Sequence, residues 1–173
     1  MDDTSGQEAR AAWVQAALER HGSALQRYAA SITGDDESAR DVVQDTFLRL
    51  CDIPPESVDG HLAPWLFTVC RHRALDLQRK LHRMKPLADE DLARQASPEP
   101  SPADAAEQDD ALTLVRRLLA ALPPNQQEVV RLKFQAGLSY EEISRVTSLS
   151  VGNVGFLLHT ARKTLRTRAA RAQ

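Results

Sequence analysis

The sequence lacks long apolar runs, and it has few of the residues that build sheets. No apolar stretch approaches the roughly 20 residues that cross a bilayer, and the start Met1-Asp2-Asp3 lacks the basic-then-apolar order of a signal peptide, so we expect a cytoplasmic protein. Aromatic residues make up only 5%, whereas Ala, Leu, Arg and Gln are abundant, which favours helices over a β-sandwich. The 173 residues exclude a large enzyme barrel and allow one ordinary domain or two small ones.

Cysteine is also scarce. Cys51 and Cys70 belong to no Cys-x-x-Cys or Cys/His cluster, so neither a disulfide framework nor a metal site is predicted, and no cofactor either. We expect two reduced core thiols, because free cysteine usually behaves as a small buried apolar residue. An enzyme could pair a histidine with a carboxylate, but no two histidines lie at ligand spacing on one helix face, and we predict no enzyme. The five are His21, His61, His72, His82 and His159.

The net charge of −2 hides a strong segregation along the chain. Residues 1–61 carry −7, residues 62–86 carry +5, residues 87–111 carry −7 and residues 112–173 carry +7. Two basic segments separated by an acidic one indicate two surfaces for a polyanion, with ordinary solvated helix faces as the alternative.

The acidic segment 87–111 contains Ser-Pro-Glu-Pro-Ser-Pro and little apolar content beyond alanine and two leucines. It cannot bury enough surface to offset its ordering entropy, so we predict a flexible linker. The predicted fold is therefore all-α, with two small helical domains at 11–86 and 112–173 joined by this acidic linker, and with residues 1–10 as a disordered tail.

The first domain begins with apolar residues at helical spacing from Ala11 to Ile32, Leu18 among them, with a bend predicted at His21-Gly22. The next helix carries apolar residues at i, i+3, i+4, i+8 and i+11, which predicts a core face: Ala39, Val42, Val43, Phe47 and Leu50. Its opposite face is a compact acidic stripe at i, i+3, i+4 and i+7 that suits a basic helical partner. The stripe consists of Asp41, Gln44, Asp45 and Leu48, and a solvated acidic face is the alternative.

A loop from Cys51 to His61 precedes a third predicted helix, with Pro64 at its first position and Lys80 near its end. Its predicted buried stripe is Leu66, Val69, Cys70, Ala74, Leu77 and Leu81. The outer face is basic, as a nucleic-acid surface requires, and Trp65 either belongs to that surface or packs in the core. The outer residues are Arg71, His72, Arg79, Lys80 and Arg83.

The second domain has the order of a helix-turn-helix. Two predicted helices run from Leu112 to Leu122 and on to Gly137, and a Ser139–Glu142 capping box then starts a short helix. A turn at 147–150 leads into a longer helix from Val151, whose basic end can reach DNA phosphates. Its cations are Arg162, Lys163, Arg166 and Arg168.

Together the two domains resemble the extracytoplasmic-function group of bacterial RNA polymerase sigma factors. In the first domain the resemblance to that family's region 2 lies in Ile32-Thr-Gly-Asp35, Asp41-Val-Val-Gln-Asp-Thr-Phe47, Pro64-Trp-Leu66 and Ala74-Leu-Asp76. In the second, resemblance to region 4 lies in Leu122-Pro-Pro124, Leu138-Ser-Tyr-Glu-Glu-Ile143 and Ala161-Arg-Lys163.

The resemblance implies a role for each surface. The acidic stripe would dock on the β′ clamp of core polymerase, with the β subunit as a further contact, and the linker would thread the active-site cleft and RNA exit channel. The loop and helix after the stripe would bind and help open the minus-10 promoter element, and the loop would capture a flipped base. An anti-sigma factor, of a kind that can hold such proteins at the inner membrane, is a further expected partner. The minus-10 candidates are Asp52, His61, Trp65, Thr68, Arg71, His72 and Arg79.

The last helix would read the minus-35 element, but it departs from the family's usual Gly-Thr-Val-Lys-Ser-Arg-Leu. Here the segment is Gly152-Asn-Val-Gly-Phe-Leu-Leu158, in which Gly155, Phe156 and Leu157 replace polar or basic residues. Either Phe156 contacts a thymine methyl group, or Phe156 and Leu157 pack and affinity comes from phosphates and groove shape. The minus-35 candidates are Ser150, Asn153, Phe156, His159, Thr160, Arg162, Lys163 and Arg166. A second departure is Arg71-His72, where the family commonly has Arg-Asn.

Two rival functions remain open from the sequence. A stand-alone helix-turn-helix regulator would explain the second domain but leaves the acidic stripe and the linker without a purpose. A protein-only adaptor or decoy would explain the altered last helix. The prediction that we carry forward is a sigma factor that gives core polymerase its promoter choice and promotes promoter melting.

Overall fold

The computed structural model describes the backbone of residues 3–84 and 109–171, and the side chains of 6–84 and 113–170. Every regular element in these ranges is helical, and the all-α prediction is confirmed. The helices are α1 Asp3–Thr33, α2 Asp36–Asp52, a 3-10 helix Pro55–Val58, α3 Leu62–Met84, α4 Asp109–Ala120, α5 Pro124–Phe134, α6 Tyr140–Thr147 and α7 Val151–Arg171. Inter-helix contacts group α1, α2 and α3 in a first unit and α4, α5, the start of α6 and α7 in a second, and each unit is described by itself.

In the first unit each of the three helices packs on the other two. Their shared core includes Tyr28 and Phe67, whose rings meet edge-to-face with centroids 5.4 Å apart. Gly34, at φ +88°, reverses the chain after α1, and Asp35 then caps α2 by accepting a hydrogen bond from the Ser38 N–H at 2.7 Å. All five core positions predicted for α2 are buried.

Helix α1 differs from its prediction in three ways. It begins at Asp3, so residues 3–10 are helical and not a disordered tail. It is continuous through His21-Gly22, because a glycine inside a helix costs only about 1 kcal/mol and here adopts no positive φ. Leu18, predicted in the core stripe, is 41% exposed and lies against Gly22 instead.

Helix α3 starts at Leu62, two residues before the predicted start at Pro64. Proline is tolerated there because the N–H groups of the first helical turn have no helical acceptor. The buried residues of α3 end at Ala74, and Leu81, predicted as core, is 41% exposed. Cys51, predicted to be buried like Cys70, is exposed because the neighbouring Leu50 occupies the core position of that turn.

In the second unit α7 packs against α4 and α5, and Ser139 and Glu142 form the predicted capping box. Helix α4 starts at Asp109, so residues 109–111 are helical and not linker. The rest of the predicted linker, 87–108, lies outside the described residues. No helix within the described ranges is both long and apolar enough to cross a membrane.

Candidate functional site

The acidic stripe of α2 is a free surface in the described part of the chain. We call Asp41, Gln44, Asp45 and Leu48 the acidic ridge; all four are exposed, and Leu48 is 57% exposed. Neither carboxylate forms an ion pair within the described ranges. An apolar side chain beside two unpaired carboxylates and an amide can bind a partner helix that is basic but partly apolar.

The ridge is held in place by the way α2 begins. The Ser38 N–H lowers the pKa of the Asp35 carboxyl below its usual value, so the cap is charged and bonded at neutral pH. On the other side of α2, Val42 and Phe47 are buried in the core of the first unit. Thr46 is buried there too, and its hydroxyl donates to the Val42 carbonyl at 2.8 Å. The ridge therefore lies on a helix whose rotation is fixed by its core face.

The α2–α3 loop, residues 53–61, contains the 3-10 helix and turns at Gly60, where φ is +71°. Asp52, the last residue of α2, and His61 are both exposed. The Nδ1 atom of His61 lies 2.9 Å from the Asp59 carbonyl oxygen, which orients the ring at the start of α3. Polar candidates therefore stand at both ends of the loop.

Four of the minus-10 candidates share one face of α3. Trp65, Thr68, His72 and Arg79 fall at i, i+3, i+7 and i+14, and we call them the α3 face. They span roughly 21 Å, the length of about six stacked nucleotides. Trp65 and Thr68 are half-buried, whereas His72 and Arg79 are exposed.

Two side chains on this face already have partners. The Thr68 hydroxyl donates to the Pro64 carbonyl at 2.7 Å, and Arg79 pairs with Asp76 at 3.1 Å, both carboxylate and guanidinium being largely exposed. Arg71, a further candidate, is half-buried beside the face. The C-terminal part of the α3 face thus offers an exposed histidine and arginine, and its N-terminal part offers a half-buried tryptophan.

Ser150 directly precedes α7, and its hydroxyl accepts from the Asn153 N–H at 3.1 Å, within the first turn of the helix. Phe156 and Leu157 differ in burial: Leu157 is packed and only 5% exposed, whereas Phe156 is 65% exposed and can contact a ligand. The exposed side of α7 includes one stripe at i, i+3, i+7 and i+10, which we call the α7 face. The α7 face consists of Asn153, Phe156, Thr160 and Lys163.

The other minus-35 candidates lie about 100° around α7. His159, Arg162 and Arg166 line a groove of about 640 Å³ within the second unit, whose apolar walls come mainly from α4, α5 and α7. Sequence reasoning missed this groove, although the strongly amphipathic pattern of α4 is a signal for it. The structure shows that Val115 of that pattern is exposed. Lys133 is a fourth basic side chain in the lining, and a groove with apolar walls and four basic side chains suits an amphipathic helix that carries acidic residues.

Among the residues that line the groove, Lys133 and Tyr140 form a pair. The ammonium of Lys133 lies 5.4 Å from the centre of the Tyr140 ring and donates to the Leu138 carbonyl at 3.1 Å. Within the described ranges, the His, Cys, Asp and Glu side chains form no group of three or more that could hold a metal ion.

Comparison with known families matches both units. The model of sigma-70 region 2 matches residues 17–84, and that of sigma-70 region 4 matches residues 112–165. The ECF RNA polymerase sigma factor SigL of Mycobacterium tuberculosis is 32% identical over 161 residues, which cover 91% of this chain and 89% of SigL. SigM of Bacillus subtilis is 32% identical over 143 residues, covering 81% and 85%.

Two solved structures are also similar. The sigma factor RpoE of Bartonella quintana, in complex with the anti-sigma factor NepR, has a TM-score of 0.68 and 25% identity, covering 88% of this chain and 94% of RpoE. CnrH, in complex with the cytosolic domain of CnrY, has a TM-score of 0.59 and 27% identity, covering 92% and 89%.

Proposed function

Because this chain belongs to the extracytoplasmic-function group of RNA polymerase sigma factors, we propose that its acidic ridge binds core polymerase and that two helical faces recognise the promoter. In this family the factor gives polymerase its promoter choice and promotes melting at the start region. The factor acts as a binding subunit, and the chemistry of RNA synthesis belongs to the polymerase.

The observation that carries the polymerase assignment is the exposure of the acidic ridge. Asp41 and Asp45 are exposed and unpaired within the described ranges, on a helix whose other face is fully committed to the core. By the family resemblance their partner is a basic coiled coil of the β′ clamp. Complementary charge at such a contact speeds association and fixes its register.

We assign the two promoter elements to different units. The α2–α3 loop and the α3 face bind the minus-10 strand, where tryptophan and histidine rings offer stacking surfaces and Arg79 offers a phosphate contact. The α7 face takes the minus-35 duplex, where the Asn153 amide suits an adenine edge and Phe156 a thymine methyl group. Lys163 supplies a phosphate contact on the same face.

The groove of the second unit is assigned to protein partners. Its shape and basic side chains suit an acidic amphipathic helix, and we assign it to the polymerase β subunit. The solved relatives were captured with NepR and with CnrY, which supports an anti-sigma factor as a regulator of this chain too. The factor then works in the cytoplasm. Before induction, an anti-sigma factor anchored in the inner membrane would hold it at that membrane.

The test of the polymerase assignment is a charge reversal on the ridge. Asp41→Arg combined with Gln44→Ala should abolish binding to core polymerase while the helix content stays unchanged, because like charges would then face the basic clamp. The matched control is Glu19→Arg with Gln15→Ala, which makes the same change at an exposed, hydrogen-bonded pair on α1.

Binding is measured with purified core polymerase, and run-off transcription is measured on the DNA upstream of the protein's own gene. The control double variant should behave as the wild type in both assays. Unchanged polymerase affinity in the ridge variant would contradict the assignment.

A further inference from the structure

Two prolines directly after α2 remove backbone amide groups that could cap the last carbonyls of this helix. The helix ends at Asp52, and the residues four positions after Leu50 and Cys51 are Pro54 and Pro55, which have no N–H. The next residue, Ile53, is extended, with φ −106° and ψ 146°, so no left-handed cap closes the helix. The carbonyls at the end of α2 are therefore open to a donor from elsewhere in the chain.

That donor is Arg10 of α1. Its Nη2 atom donates to the Cys51 carbonyl and, at 2.5 Å, to the Ile53 carbonyl, which bracket the end of α2. The Arg10 side chain is half-buried, and a guanidinium beside the negative end of a helix is also favoured by the helix dipole.

One turn along the same face of α1, Trp13 lines a cavity of about 280 Å³ together with the loop residues Pro55, Val58 and Gly60. Arg10 and Trp13 are three positions apart, so the face of α1 that bonds the start of the loop also faces its later residues across this cavity.

We propose that Arg10 is a positioning residue for minus-10 recognition: it fixes the path of the α2–α3 loop and so sets how sharply that loop discriminates between promoter bases. The inference rests on the proposed function, which gives this loop the minus-10 strand. Arg10 itself touches no DNA in this scheme. Its loss lets the loop sample several paths, which costs discrimination at the bases the loop reads and leaves the other surfaces unaffected.

The test uses holoenzyme made from the full chain and core polymerase, on a DNA pool with random sequence upstream of a fixed transcribed region. Wild-type holoenzyme first defines the preferred bases at both elements. Arg10→Gln and Arg10→Met should each reduce discrimination at the minus-10 bases by about tenfold, within the range that one base contact contributes. Minus-35 preference and polymerase affinity should be unchanged, and Arg10→Lys should recover part of the loss.

The matched control is Arg20→Gln, which removes the same charge from an exposed position on the same helix. A merely structural defect lowers transcription from all sequences equally and leaves the base ratios intact, and that result would overturn the proposal. So would wild-type ratios in a folded Arg10 variant, or failure of both Arg10→Gln and Arg10→Met to fold. If the wild-type chain itself fails to bind polymerase, the proposed function fails first, and the two failures are thereby distinguished.

Discussion

Phe156 and Leu157 are neighbours on α7, and truncating each of them should have opposite consequences. Leu157 is buried, and a buried leucine truncated to alanine costs about 2–5 kcal/mol, because it leaves a cavity as well as losing apolar contact. Phe156 is exposed, and substitutions at exposed positions usually change stability by less than about 0.5 kcal/mol.

Hydrogen exchange of the α7 amides, followed by mass spectrometry, measures these changes within the second unit. A loss of about 3 kcal/mol should make exchange through global opening of the unit roughly 100-fold faster in Leu157→Ala. The same loss should lower the melting temperature of a domain of this size by at least about 12 °C. Phe156→Ala should change the exchange rate by no more than about threefold.

Promoter selection should show the reverse pattern. Holoenzyme containing Phe156→Ala should lose about tenfold in its preference for thymine at one minus-35 position, because the ring no longer contacts the methyl group. The measurement is competition between promoters that differ only at that base. The reasoning is refuted if Phe156→Ala loosens α7 as much as Leu157→Ala does, or if every minus-35 preference survives it.

Two further outcomes are expected. Gly155→Ala should stabilise the second unit by about 0.5–1 kcal/mol, because alanine favours the helix and the added methyl group would lie 3.6 Å from the Tyr140 ring, which is an ordinary contact. Thermal unfolding measures the change, and a lower melting temperature would contradict this prediction. At about pH 8 an alkylating reagent should modify the exposed Cys51 and spare Cys70, because burial raises the pKa of the Cys70 thiol to about 12 and the thiolate is the reactive form. Mass spectrometry measures the labelling, and equal labelling of both cysteines in the folded protein would count against this prediction.

The two faces of α2 could be predicted because both depend only on helical period. Val42 and Phe47 fall on one side and Asp41 and Asp45 on the other, whatever the helix packs against. The tail could not be predicted in the same way. Its order includes the bonds from Arg10 to carbonyls more than 40 positions away, and no local pattern signals such a contact.

Periodicity also cannot tell which turns of a helix have a partner. Leu81 continues the apolar stripe of α3, yet the buried residues of that helix end at Ala74. On α7, Phe156 and Leu157 differ by 100° of rotation, and the sequence alone does not say where the buried arc ends. Tertiary packing decides this, and it places the boundary between the two residues.

The composition of the α7 face has a consequence for how promoter binding is organised. Only Lys163 among its four residues carries a charge, and DNA affinity outside polymerase comes mainly from neutralised phosphates. Of the other α7 cations whose side chains are described, Arg162 and Arg166 line the groove that we assign to a protein partner, which leaves the exposed Arg168 as the one that could add a phosphate contact. On the assignment proposed above, neither DNA face needs to bind tightly alone, since polymerase would hold both units near the promoter and raise their effective concentration. Promoter recognition would then be confined to the assembled holoenzyme, because the free factor would bind DNA too weakly to occupy promoters by itself.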